Sequence, residues 1–173
     1  MEIAAVHSQL QQGKLERLYV FYGEETAVQS MYVQQIIKLS GLSRYSADTV
    51  LDVYKRLKHK TILQTACCYI VYGDAEFLFA EVLWDNIQLV LGDNILILRY
   101  DTIDKRTRFY KRFADHVVEF APLQDVALKK YIKKQIDLSD DNCETLINVC
   151  EHNYGRILLE IDKIKRYVDA RKD

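Results

Sequence analysis

Leu18-Tyr19-Val20-Phe21-Tyr22 is an unbroken run of β-favouring apolar residues closed by Gly23, and it leaves the chain few ways to fold. A strand with no polar face must be covered on both sides, which is the situation of a central strand in a parallel sheet. Gly23-Glu24-Glu25-Thr26 then reads as a tight turn into a helix. In parallel α/β folds this corner is where phosphates bind, held by several glycine N–H groups and a Lys-Ser/Thr pair. Here Gly23 stands alone and no lysine follows it. Glu24 and Glu25 bring negative charge to the helix N-terminus, where they compete with a phosphate for the same end of the dipole. The sequence predicts a corner that is already occupied and a chain that takes no cofactor.

The alternation set up by this run continues along the chain. Ile3, Val6 and Leu10 stripe a short leading helix that stops at Gly13, and Val28, Met31, Tyr32, Ile36 and Leu39 stripe the helix after the turn, ending at Gly41. Asp48 reads as the N-cap of a helix carrying Val50, Tyr54 and Leu57 into the basic stretch Lys55 to Lys60. Thr61 to Thr65 connects it to a second buried strand, Cys67 to Tyr72. Phe77 to Leu91 reads as one helix or two, Ile95 to Leu98 as a strand, Asp101 to Asp115 as a basic helix, and Val117 to Phe120 as a further strand. Pro122 marks a boundary, because proline cannot continue a central ladder.

Beyond Pro122 the pattern is helical only. Val126, Tyr131 and Ile132 begin one helix, Leu138-Ser139-Asp140-Asp141 supplies the start of a second, and Ile157, Leu158, Ile161, Ile164 and Tyr167 stripe a third. The reading is therefore an α/β domain over residues 1–121 and a small three-helix lid over 122–173.

A net charge of −1 over 173 residues gives no global attraction to nucleic acid or anionic lipid, so such binding needs a local patch. No apolar run is long enough to span a membrane and no signal peptide is visible, which predicts a cytoplasmic protein without a membrane partner. Cys67-Cys68 lies within an apolar run and Cys143 and Cys150 lie two turns apart, neither a metal-ligand spacing, so all four read as buried thiols. The histidines at 7, 59, 116 and 152 have no neighbours at triad or zinc spacing. No catalytic residue and no metal site are predicted.

Leu18 to Glu25, Ile95-Leu96-Ile97-Leu98 followed by Asp104-Lys105-Arg106, Val118 to Leu123, and Glu160-Ile161-Asp162-Lys163-Ile164 occur in an order and spacing that resembles the clamp-loader delta subunits of bacterial DNA polymerase III, a branch of the AAA+ proteins. The resemblance spans nearly the whole chain. It implies an AAA+-like parallel five-stranded sheet with flanking helices, then a three-helix lid, and a non-catalytic subunit that binds and opens the sliding clamp in DNA replication. The implied partners are the clamp, the other loader subunits and primer-template DNA in the assembled complex. Members of the family also carry a helical collar domain that holds the loader ring together, which the residues here do not supply, so ring assembly is not implied. A degenerate nucleotide-binding protein of the same fold and a generic interaction module remain as alternatives.

Between the helix after Asp48 and the strand from Cys67, the family carries an adjacent pair of large hydrophobes that inserts into a pocket of the clamp. At that place this chain has Ile62 and Leu63, which the resemblance assigns to clamp binding. Lys129, Lys130, Lys133 and Lys134 form a basic stripe on the first lid helix, read either as a solvated face or as a contact to DNA or to a neighbouring subunit.

Overall fold

The computed structural model describes residues 3–59 and 65–169. It divides into two compact units, one of Met1–Gly23 with Gln29–Phe120 and one of Glu24–Val28 with Ala121–Asp173.

The first unit is built on five parallel strands, β1 (Leu18–Tyr22), β2 (Ser43–Ala47), β3 (Cys67–Tyr72), β4 (Ile95–Tyr100) and β5 (Val117–Glu119), in the order β2-β3-β4-β1-β5. Before and between them lie α1 (Ile3–Gln11), α2 (Thr26–Ser40), α3 (Val50–Lys58), α4 (Glu81–Leu91, preceded by a 3₁₀ turn at Phe77–Phe79) and α5 (Arg108–Arg112). As the apolar run predicts, every residue of β1 is buried, and so is every residue of β4. Successive side chains leave a strand on opposite faces. Leu18, Val20 and Tyr22 of β1 therefore join Tyr69, Val71, Leu96 and Leu98 in a core closed by Val53 and Leu57 of α3, Trp84 and Ile87 of α4, and Phe109 of α5. On the other face Phe21 meets Phe120 with ring centroids 4.9 Å apart, and Phe120 meets Tyr32 of α2 at 5.5 Å.

Several local expectations change. No apolar run announces β2, whose Ser43-Arg44-Tyr45-Ser46 is exposed and polar; it is an edge strand held by its register on β3. The cap of α3 is Thr49 rather than Asp48: Asp52 N–H donates to Thr49 Oγ1 at 3.1 Å, and the Thr49 hydroxyl donates to the Asp52 carboxylate at 2.6 Å. This reciprocal pair satisfies a helix-terminal donor that Asp48 does not reach. Of the span Asp101 to Asp115 only Arg108–Arg112 is helical, capped by Thr107.

The second unit contains α6 (Asp125–Gln135), α7 (Asp140–Val149) and α8 (Tyr154–Asp169). Leu128, Ile132, Cys143, Ile147, Cys150, Tyr154, Ile157 and Ile161 form its core, so the three stripes meet as their spacing predicts, although Val126 is exposed. Ser139 caps α7, accepting from Asn142 N–H. The turn between α7 and α8 holds Glu151 and His152 at φ of 53° and 56°. Glu151 pairs with Arg156 at 2.6 Å, and His152 Nδ1 lies 2.7 Å from the Asp125 carboxylate, beside that left-handed pair. All four cysteines are buried free thiols, as expected.

Candidate functional site

The turn after β1 begins at Gly23, whose φ of +120° lies in the region that only glycine adopts readily. Its N–H points at the carbonyls of Tyr100 and Asp101, at 3.3 and 3.1 Å. A nucleotide-binding corner keeps such an N–H for phosphate, whereas here the end of β4 takes it. The Gly23 carbonyl is bound as well, accepting from Gln29 Nε2 at 2.9 Å. Gln29 Oε1 accepts from Arg99 Nε at 2.9 Å, and the Arg99 guanidinium donates to Tyr72 Oη at 2.7 Å and to Ser30 Oγ at 3.3 Å. Gln29 and Arg99 are both buried. The corner is thus filled by a side-chain and backbone network of the chain itself, joining the ends of β1, β3 and β4 to α2.

Sequence reasoning missed Gln29 and Arg99. The available signal was a guanidinium placed directly after four aliphatic residues of a strand, because a buried charge needs hydrogen-bonding partners.

Glu24 and Glu25 immediately precede α2, which starts at Thr26 and has no acidic residue within its own first turn. Within the second unit, Glu25 is buried and accepts the Leu123 N–H at 3.3 Å; burial raises its pKa above the ordinary carboxylate range, opposed by that hydrogen bond. Among the described residues no group of three His, Cys, Asp or Glu side chains converges as a metal site would require.

The connection from α3 to β3 is the second site singled out by the sequence. α3 closes at Lys58 with His59 as its C-cap, so Ile62 and Leu63 lie outside the described residues. What is described is the frame. Lys55, Arg56, Lys58 and His59 are exposed at the end of α3, and Thr65 is exposed at the far side. Arg56 lies 4.4 Å from the centroid of the Tyr45 ring, a cation–π contact between α3 and the edge strand.

The four lysines of α6 separate into two pairs. Lys129 bonds Glu144 and Lys133 lies 2.7 Å from Asp140, both carboxylates belonging to α7. Lys130 and Lys134 are exposed one helical turn apart, with no ion pair among the described residues. A one-helix reading could not foresee this division, because the acidic partners come from the next helix.

A parallel β2-β3-β4-β1-β5 sheet with helices on both faces, followed in sequence by three helices, is an α/β fold with a small all-helical segment after it. No known protein-family model matches the chain, and no curated protein sequence is similar to it. Among solved structures it is similar to the Bacillus subtilis DNA clamp loader delta protein (YqeN), with a TM-score of 0.65 and 18% identity over 95% of this chain and 57% of that one. It is also similar to a Rhizobiales Trip13 structure, with a TM-score of 0.51 and 12% identity over 78% of this chain and 57% of the other. The five-stranded α/β fold is therefore similar to the matched part of that delta protein, and the chain spans little more than half of that protein's length.

Proposed function

We propose that this chain is a non-catalytic clamp-loader subunit of the delta type, which binds the sliding clamp through Ile62 and Leu63 and favours its opened interface. The observation that carries this reading is the delta-like fold over 95% of the chain. The filled corner at Gly23 supports it, since a subunit without a free phosphate cradle leaves hydrolysis to its neighbours. Opening then follows from differential binding, because a ligand that prefers one state shifts the population toward it. Mixing the chain with the sliding clamp of its own source and separating the mixture by size-exclusion chromatography tests the proposal. Co-elution is expected, and separate peaks at concentrations well above micromolar remove the clamp as a partner.

Calorimetric titration with Mg-ATP is expected to give no binding in the micromolar range. The corner has no lysine, and the Gly23 N–H and carbonyl already have partners. Micromolar binding would replace this reading with that of a nucleotide-binding protein.

In the assembled loader, the α6 stripe is proposed to face primer-template DNA or an acidic neighbouring subunit. Its active members are Lys130 and Lys134, since α7 carboxylates engage Lys129 and Lys133. Each phosphate contact contributes about one unit to the salt dependence of DNA binding. Lys130→Glu with Lys134→Glu is expected to flatten that slope in the reconstituted loader by about two units. An unchanged slope identifies the stripe as a solvated surface.

A further inference from the structure

At the C-terminal end of β3 the first unit carries an open apolar groove of about 730 Å³, within the size range of ligand and peptide sites. Its walls are the start of α3, with Leu51 and Tyr54, and the segment from the 3₁₀ turn into α4, with Phe77, Phe79, Val82 and Leu83. Phe79 and Val82 are 79% and 83% exposed, and Leu51 is 44% exposed. Large adjacent apolar side chains left in water at a concave site mark an interaction surface.

The groove is also built in advance. Asp74 lies at its base and is buried; its carboxylate accepts the Val50 N–H at 2.7 Å and the Phe77 N–H at 3.0 Å, so one side chain fixes the start of α3 and of the 3₁₀ turn together. Trp84 Nε1 donates to the Phe77 carbonyl at 2.7 Å, tying α4 to the same floor. Phe77 is held from beneath by the rings of Phe109 and Phe113. Binding here requires little reordering, which favours affinity.

Charge selects the occupant. The lining residues include three carboxylates, Asp74, Glu76 and Glu81, and no Lys, Arg or His. Outside the lining, Arg108 pairs with Glu81 at 2.9 Å and Lys58 Nζ lies 5.8 Å from the centroid of the Tyr54 ring, so three carboxylates, one of them Asp74 at the base, stand against two cations. Glu76 is exposed beside Phe77. We propose that this groove docks an amphipathic segment of another protein, with aliphatic or aromatic side chains on the face that covers Phe79 and Val82 and with Lys or Arg at its edge against Glu76 and Glu81. The groove opens past Tyr72, at the end of β3 opposite to the one entered through residues 59–66. Six strand residues, about 17 Å, separate the two ends. The inference does not rest on the clamp.

The probes are two short amphipathic helical peptides, one of leucine and lysine and one of leucine and glutamate, titrated by fluorescence anisotropy into the chain. The lysine peptide is expected to bind saturably and the glutamate peptide about tenfold more weakly or worse. Phe79→Ser with Val82→Ser is expected to weaken the lysine peptide at least about tenfold, whereas Leu89→Ser, an exposed α4 residue outside the groove, leaves it unchanged. Glu76→Lys with Glu81→Lys is expected to reverse the order of the two peptides, and this variant keeps the apolar wall intact should the serine pair fail to fold. Equal affinities for the two peptides, or no effect of either variant, overturn the proposal. So does sedimentation showing that the chain self-associates through Phe79 and Val82, because the occupant is then a second copy.

Discussion

Changing Ile62 and Leu63 together to alanine is expected to weaken binding to the sliding clamp by about two orders of magnitude or more, with the melting temperature nearly unchanged. The magnitude follows from burial: a large aliphatic side chain taken from water into a partner pocket contributes roughly 1.5–3 kcal/mol. Two such anchors exceed the roughly 2.7 kcal/mol that a hundredfold change requires. The stability half of the expectation rests on the frame. Lys58, His59 and Thr65 are exposed on either side of the pair, and the apolar positions of α3 that pack against the sheet are Val50, Val53 and Leu57, which the double change leaves untouched. Clamp titration and thermal unfolding of the same variant check both halves. A lower melting temperature with clamp binding retained places the pair in the core and removes it from the mechanism.

Gly23→Ala is expected to be the most damaging single methyl in the first unit. A Cβ at this position lies 2.4 Å from the Phe120 carbonyl oxygen and 2.8 Å from its carbonyl carbon, and neither can swing aside as a side-chain tip can. Phe120 N–H donates to the Tyr22 carbonyl at 2.7 Å, so displacing this backbone breaks the continuation of the β1–β5 ladder. Strain of about 1–3 kcal/mol at a positive φ adds to overpacking of about 1–3 kcal/mol, for a total of roughly 2–6 kcal/mol. Gly41→Ala is the control. Its φ of +65° is also left-handed, but nothing lies within 4 Å of the added Cβ, so only about 1 kcal/mol is expected. Urea unfolding of the two variants separates the causes. Equal losses would mean that conformation rather than the Phe120 backbone makes Gly23 necessary.

The parts of the fold legible in the sequence are those where burial and local pattern say the same thing. β1, β3 and β4 are mainly apolar on both faces because neighbours cover both, and a run such as Cys67 to Val71 has no other comfortable place. β2 is illegible for the complementary reason. At the edge of the sheet, with one partner, Ser43 to Ala47 has no apolar face to advertise and takes its conformation from β3.

The candidate sites divide along a similar line. The missing lysine and the single glycine at residue 23 are visible one residue at a time. The Gln29–Arg99 bridge joins residues seventy positions apart, so only Arg99 after its aliphatic run leaves a local trace, and the division of the α6 lysines depends on carboxylates of a different helix.

The four buried thiols give the molecule a pair of internal timers. Cys67 and Cys68 sit in the sheet of the first unit, Cys143 and Cys150 in the helical core of the second, and all four are buried. Burial raises the pKa of Cys68 to about 11 and pushes that of Cys150 upward as well, so neither thiol ionises readily while its unit is closed. A thiol reagent therefore modifies these side chains only during opening, at a rate set by how often their unit unfolds. Mapping which pair is modified first reads out separately how long each half of the chain stays shut.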